Sequence, residues 1–402
     1  MIKVKYLILG AGPAGLTVAN RLMQMGESNF IVAEKENEAG GLCRSVIVDG
    51  APFDIGGGHF LDVRCPRVTE FLFQFMPQDE WKLYDRKSVI DLQGKYIEHP
   101  LEANIWQLDM DKQVEYLVSI AKAGSNIGEE RPLYFKEWIR WKLGDRIAED
   151  YMLPYNEKMF SDDLDDLGIY WLDKLPSVSF EETIRSCLEK KSYGKQPGHA
   201  QFYYPTKYGY GELWLRMAQA VKGKILYGIE AKSIDFDEKI VEFADGREIQ
   251  AEKIITTIPW SSLSGFKGMP SEMVNSIKQL KHSAIVTSYV PNNLETDAQW
   301  IYIPDKSVPY HRILVRHNFC TGSRGYWTET RKERAKNSGN FSYVNEYAYP
   351  LNTINKTNII GNLLQFAQSR DVYGLGRWGE HSHYNSDLVV EKGLRLAERL
   401  AV

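Results

Sequence analysis

Lys3-Val-Lys-Tyr-Leu-Ile-Leu-Gly-Ala-Gly-Pro-Ala-Gly-Leu16 carries an apolar strand into three glycines, Gly10, Gly12 and Gly15, with Pro13 and Ala14 among them. An amphipathic helix follows and ends near Met25. Strand, glycine turn and helix in this order predict a dinucleotide-binding turn. The glycines allow a sharp bend and close approach to a pyrophosphate, and the helix N-terminus offers free N–H groups and the positive end of its dipole. A second apolar run, Phe30-Ile-Val-Ala33, delivers Glu34 about twenty residues further on, where a carboxylate accepts hydrogen bonds from an adenosine ribose.

Beyond Glu34 and Lys35 comes Glu38-Ala-Gly-Gly-Leu-Cys-Arg-Ser45, a second glycine pair with an arginine three residues later, and then Phe53-Asp-Ile-Gly-Gly-Gly-His-Phe60. Only glycine lets main chain approach a flat ring system closely. With these blocks the chain resembles the FAD-binding flavoproteins that include amine oxidases, protoporphyrinogen oxidase and UDP-galactopyranose mutase. The resemblance implies FAD as cofactor. It implies that Gly41, Leu42 and Arg44 run along the FAD diphosphate, and that Gly57, Gly58 and His59 sit against the isoalloxazine.

The 402 residues exceed one ordinary core and predict two or three domains. With 49 basic and 53 acidic residues the net charge is −4, so there is no broad basic field and no nucleic-acid partner is expected. Cys43, Cys65, Cys187 and Cys320 are scattered without metal-ligand spacing; they read as reduced thiols, and no metal is expected. Met1 leads almost directly into the first strand and no run approaches the length of a membrane span, so a cytoplasmic protein is expected.

Along the chain, Pro66 to Met76 reads as a helix and Trp81 to Glu98 as a hairpin turning at Gln93-Gly94. Leu101 to Lys191 then gives almost only helical signals. Asp111 can cap Lys112 to Ala123, Phe135 to Leu143 stops at Gly144, Asp145 to Met152 stops before Pro154, and Ser179 with Glu182 has capping-box spacing. A glycine-containing loop, a helix around Leu213 to Val221, and several short strands follow. From Ser271 to Tyr349 one short helix precedes alternating strands that suggest a mostly antiparallel sheet. A helix from Leu388 to about Leu400 closes the sequence. The expected fold is therefore α/β, a discontinuous Rossmann-type FAD-binding domain with a helical insertion and a mostly antiparallel substrate domain. The boundaries are 1–80, 200–265 and 355–402 for the first, 100–195 for the second, and 81–99 with 270–354 for the third.

Five further blocks resemble UDP-galactopyranose mutase, especially its eukaryotic-type members, and occur in the same order over nearly the whole chain. They are Met152-Leu-Pro-Tyr-Asn156, Gln299-Trp-Ile-Tyr-Ile-Pro304, Pro309-Tyr-His-Arg312, Tyr347-Ala-Tyr-Pro350 and Gly376-Arg-Trp-Gly379. The resemblance implies an isomerase that converts a nucleotide-linked pyranose into a furanose, with reduced flavin N5 as nucleophile at the anomeric carbon and NAD(P)H as external reductant. It assigns Arg312 and Arg377 to the substrate diphosphate, Tyr302 and Tyr349 as hydroxyl donors, and Asn156 and Trp300 as substrate contacts. Ile229 is placed beside the adenine, and Gly376 and Asp387 beside the flavin. Guanidinium groups suit a leaving diphosphate because they are permanently charged and grip phosphate oxygens in two places.

Other readings of the same residues stay open. Trp300, Tyr302 and Tyr349 can be core aromatics with satisfied polar groups, His59 can support the flavin by its backbone or move protons, and Asp387 can be a simple N-cap. Two stretches depart from the mutase pattern. Glu380-His-Ser-His-Tyr-Asn-Ser386 carries two histidines in a shorter spacer, and the place of a nucleotide-facing arginine falls near Leu175, with Lys174 adjacent. A nucleotide-sugar isomerase is thus the leading expectation. An amine-oxidising flavoenzyme is the alternative and a non-catalytic FAD protein a third; a dimer is possible.

Overall fold

The computed structural model describes residues 1–172, 175–194, 200–336 and 339–401; Lys174 lies outside them. Strand β1 (Ile2–Leu9) is the centre of an eight-stranded sheet, flanked in parallel by β2 (Phe30–Ala33) and by the strand Glu248–Thr256. Its last four residues are fully or almost fully buried, so this run is apolar without alternation, as a parallel strand covered on both faces must be. The register sets Leu9 level with both Ala33 and Thr256. The three strands therefore end together, and Gly10, Glu34 and Thr257 leave the sheet side by side, at the place where open α/β sheets bind ligands. Helix α1 (Pro13–Gln24) starts with proline in its first turn, where the missing N–H costs nothing, and packs against the final helix Ser386–Ala401.

A second, seven-stranded sheet has the order Ser342–Pro350, His282–Val290, Tyr326–Arg331, Tyr310–Leu314, Trp300–Tyr302, Ser88–Leu92 and Lys95–Glu98. Every neighbouring pair is antiparallel except Trp300–Tyr302 with Ser88–Leu92. One apolar cluster joins this sheet, through Ile285, Tyr302, Ala348 and Tyr349, to helical residues such as Phe135, Ile139, Tyr155 and Met159. The helical segment is thus fastened to the sheet face that carries the candidate site. The observed fold class is the mixed α/β architecture expected from the sequence.

Local expectations fared unevenly. The Gln93-Gly94 turn forms, but the hairpin is Ser88–Leu92 with Lys95–Glu98, and Trp81–Asp85 pairs instead with Gln201–Pro205. The capping box of Ser179 and Glu182 is present in both directions. The helix expected after Asp111 starts earlier, at Met110. Gly144 kinks rather than ends its helix, with φ 77°. Pro154 does not follow a stop: a wide turn over Ala148–Met152 feeds Leu153–Met159, and proline occupies the first turn of that helix, where it displaces no hydrogen bond. The helix Lys356–Gln368 had no distinct sequence signal among the expectations.

Candidate functional site

Two adjoining cavities lie beyond the carboxyl ends of the parallel strands. The larger, of about 400 Å³, is bordered by Gly10, Gly12, Pro13 and Ala14 from the first turn and by Glu34 and Lys35 after β2. Gly41, Leu42 and Arg44 border it from the second glycine loop, and His59, Ile229 and Arg377 from further along the chain. Glu34 is buried and holds the turn together, its Oε2 accepting from the Ala11 N–H at 2.7 Å and its Oε1 from the Glu36 N–H at 2.9 Å. Burial raises its carboxyl above the ordinary value, against the pull of those two N–H groups. Arg44 donates from Nε to the Gly41 carbonyl (3.1 Å) and from Nη2 to Tyr343 Oη (2.6 Å).

This cavity fits a flavin dinucleotide. Gly12 and Gly41 face each other so closely that a Cβ on Gly41 would stand 3.3 Å from Gly12 Cα, whereas a Cβ on Gly12 would make an ordinary contact with Gly41 Cα at 3.9 Å. The two bare backbones form a slot that a side chain would fill. Gly15 and Gly376 do not border the cavity; they permit close packing, since their Cβ atoms would fall 2.0 Å from Gly10 O and 2.9 Å from Ala14 Cβ.

The smaller cavity, of about 190 Å³, shares His59, Arg377 and Ser386 with the larger one. Gly58, Trp300, Arg312, Tyr349 and Asp387 border it too, so the structure brings most of the candidate substrate residues to one place. Strand register explains the convergence. Tyr302, Arg312 and Glu329 are cross-strand partners in one row of the sheet. The pairing slips between Tyr310 and Arg312, so His311 is an extra residue on its strand. His311 Nε2 lies 3.5 Å from Glu329 Oε2, the oxygen that also receives Arg312. Arg312 donates to it from Nε (3.1 Å) and Nη2 (2.5 Å), and from Nη2 to Tyr349 Oη at 3.2 Å.

Glu329 is 1% exposed. Burial alone would raise its carboxyl, but Arg312 and His311 outweigh that and hold it at about 2. Its Oε1 accepts from the Gly58 N–H at 3.3 Å, and a Cβ on Gly57, where φ is +85°, would meet that oxygen at 2.2 Å. The loop before His59 therefore rests on the Arg312 ion pair. Burial, reinforced by Arg377, pushes the His59 imidazole down to about 4, so it is neutral at physiological pH. Among the described residues Arg377 is held by main chain and not by a carboxylate: Nε and Nη2 donate to the Tyr384 carbonyl (3.1 and 2.9 Å) and Nη1 to the Ala348 carbonyl (3.1 Å).

Three candidates stand elsewhere or differently. Asn156 is buried in its helix, donating to the Met152 carbonyl at 2.7 Å, and borders neither cavity, because the helix turns it into the packed interior. Tyr302 is also set back in the apolar cluster, its hydroxyl accepting from Arg86 Nη2 at 2.7 Å. Asp387 is not an N-cap: the helix already begins at Ser386, whose Oγ is bonded to Tyr210 Oη (2.7 Å), and Asp387 sits in the first turn facing the smaller cavity, 3.9 Å from Arg64.

Sequence reading missed Arg86, Glu329 and Tyr343. Arg86 borders the smaller cavity with its guanidinium 4.4 Å from the Trp300 ring. Nothing in Tyr84-Asp-Arg-Lys87 marks that position. Glu329 did leave a signal, a carboxylate at the same alternating positions as Trp327 and Arg331, all buried.

A glycine-lined slot beyond the ends of the parallel strands, opening into a cationic cavity, accords with a flavin-binding fold. The chain belongs to the flavin-containing amine oxidoreductase family, whose model matches residues 13–293. Among solved structures, reduced UDP-galactopyranose mutase is similar with a TM-score of 0.90 at 22% identity, over 100% of this chain and 94% of that one. Putrescine oxidase bound to putrescine gives 0.60 at 15% identity over 100% and 99%. A CLA-producing fatty acid isomerase from P. acnes gives 0.65 at 14% identity, over 99% of each chain. These likenesses show the shared fold. Among the described residues no helix is long and apolar enough to cross a membrane.

Proposed function

We propose that this protein is a flavoenzyme that isomerises a nucleotide-diphosphate sugar between pyranose and furanose forms, most simply UDP-galactopyranose and UDP-galactofuranose. The observation that carries the reading is the smaller cavity, where Arg312, Arg377 and Tyr349 meet directly beside the flavin-sized slot and share His59 and Arg377 with it. FAD would be held by Gly12, Glu34, Gly41 and Arg44. In its reduced form, supplied with electrons by NAD(P)H, it would provide the nucleophile for the anomeric carbon. The chain's own part is to hold the departing diphosphate: Arg377 offers a permanent charge, and Arg312 positions the Tyr349 hydroxyl through a 3.2 Å hydrogen bond. Trp300 gives the cavity an aromatic wall, and the neutral His59 leaves the flavin-side loop without an added charge. A cytoplasmic location accords with four free cysteines.

The test is product analysis of the protein incubated with UDP-galactopyranose or UDP-galactofuranose. Interconversion is expected only when the flavin has been reduced beforehand, with no oxygen consumed in step with product. Oxygen uptake with an amine and no furanose would replace this reading by that of an amine oxidase.

A further inference from the structure

One wall of the larger cavity comes from the other sheet. Tyr343, Asn345 and Tyr347 border it, and all three lie on Ser342–Pro350, the outermost strand of the seven-stranded sheet. Tyr343 and Asn345, two apart where the pairing is regular, point to one face. Asn345 is buried and donates from Nδ2 to the Ile55 carbonyl at 2.6 Å, just before the Gly56 to Gly58 turn. Tyr343 meets Arg44, whose Nη2 donates to Tyr343 Oη at 2.6 Å and whose guanidinium carbon stands 5.7 Å from the ring centroid. Two residues of this strand thus hold the two loops between which a flavin dinucleotide would lie.

We infer that Tyr343 is a cofactor contact, its hydroxyl donating a hydrogen bond to a diphosphate oxygen of the bound flavin dinucleotide beside Arg44; this rests on the cofactor half of the function proposed above and not on the sugar. A phenol gives one proton and receives on its lone pairs, and arginine can only donate. The bond from Arg44 therefore occupies a lone pair, and the Tyr343 proton has no acceptor among the described residues. The place of that proton follows from a chain of contacts. Arg44 Nε donates to the Gly41 carbonyl at 3.1 Å, and Gly41 faces Gly12 across the slot. The hydroxyl thus stands where the two glycine loops come together.

The group that suits this place is an oxyanion. Bare glycine main chain admits it, Arg44 supplies charge, and a phenol already receiving from a guanidinium is a stronger donor. The nearby acids do not take these donors. Glu34 turns its oxygens to the Ala11 and Glu36 N–H groups. Glu36, half-exposed, stands 3.6 Å from Arg44 Nη1, a solvent-screened contact that leaves Arg44 its charge for a ligand. The diphosphate then bridges a loop of the parallel sheet and the edge strand of the antiparallel one, so cofactor binding ties the two sheets together.

The experiment compares wild type with Y343F, which keeps the ring beside Arg44, both saturated with FAD. Flavin release on dilution is followed by the rise in flavin fluorescence, and the phosphorus resonances of the bound FAD are recorded by NMR. Y343F should keep the wild-type far-UV circular dichroism and visible flavin spectrum. Its FAD should be held roughly tenfold more weakly, the scale of one hydrogen bond to a charged group, and at least one diphosphate resonance should move. Unchanged affinity, or weaker affinity with both phosphorus resonances unmoved, would overturn this inference while leaving the proposed function standing. A folded wild type that takes up no FAD would overturn both.

Discussion

Replacing Glu329 by glutamine tests whether the candidate site is built on its buried ion pair. The substitution keeps the shape and removes the charge, so that the Arg312 guanidinium faces at best a neutral amide oxygen and the Tyr349 hydroxyl in place of a carboxylate. Holding a carboxyl at about 2 instead of its ordinary 4.5 corresponds to roughly 3 kcal/mol in favour of the folded, ionised form. That agrees with the 3–5 kcal/mol typical of breaking a buried pair by removing one partner. Because the folded-state value is depressed, the contribution is complete above about pH 4.5 and is lost as pH falls toward about 2. Urea unfolding followed by tryptophan fluorescence at pH 7 should show E329Q less stable by about 3 kcal/mol, with the gap to wild type narrowing below about pH 4.5. The double variant R312Q/E329Q should recover part of the loss, since the stranded cation is then gone too. A cost below about 1 kcal/mol, or a double variant no better than the single one, would show that the pair is solvated and does not organise the site.

Three further outcomes are expected. R377A should stay yellow while its affinity for a UDP-sugar, or its turnover, falls by about two orders of magnitude, read by titration and by product formation; unchanged kinetics would remove Arg377 from the site. G12V should fold, because a Cβ there meets nothing nearer than Gly41 Cα at 3.9 Å, yet lose the flavin absorbance while keeping its far-UV circular dichroism; a normal flavin spectrum would mean that the slot holds something else. Asp54 is fully buried, and desolvation pushes its carboxyl up to about 7 against the hydrogen bonds from Ser45, Tyr204 and Tyr210. A folded state that keeps the proton longer loses stability as pH rises from 3.8 to about 7, by roughly 4 kcal/mol in all. D54N should flatten that slope in urea midpoints measured across the interval, leaving the smaller share due to Glu102, which burial also raises to about 7; an unchanged slope would show that Asp54 is ionised in the folded protein.

The candidate cofactor slot was legible in the sequence because its determinants are local. A strand, a turn and a helix within the first 24 residues dictate where the glycine-lined slot lies, and Gly41 needs only a short loop to face Gly12. The smaller, cationic cavity was legible only in its parts. Arg312, Trp300 and Tyr349 could be named from short blocks, but Arg86 reaches them through pairing with a strand more than two hundred residues away. No local pattern encodes that. Asn156 shows the opposite failure: a motif residue whose helix turns it inward, toward the Met152 carbonyl at 2.7 Å. Helix boundaries around Pro154 and Gly144 were misjudged because a wide turn and a kink let the chain continue through residues that usually end a helix.

The extra residue at His311 has a further effect on charge. In a regular strand neighbouring side chains point to opposite faces, so His311 and Arg312 could not both approach Glu329; the slip in pairing is what lets them do so. Arg312 is therefore braced by a carboxylate on its own sheet, and its charge is largely answered before any ligand arrives. Arg377 and Arg86 differ: the former is held by main-chain carbonyls, the latter by the Ser88 and Tyr302 hydroxyls, and neither has an ion-pair partner among the described residues. The unanswered positive charge of the cavity lies at those two positions. Removing Arg312 mainly releases Glu329 and the Tyr349 hydroxyl, a change of geometry, whereas removing Arg377 subtracts charge from the cavity itself. Loss of anion affinity at normal fold stability is thus the signature expected of R377A, and loss of stability before loss of affinity that of R312A.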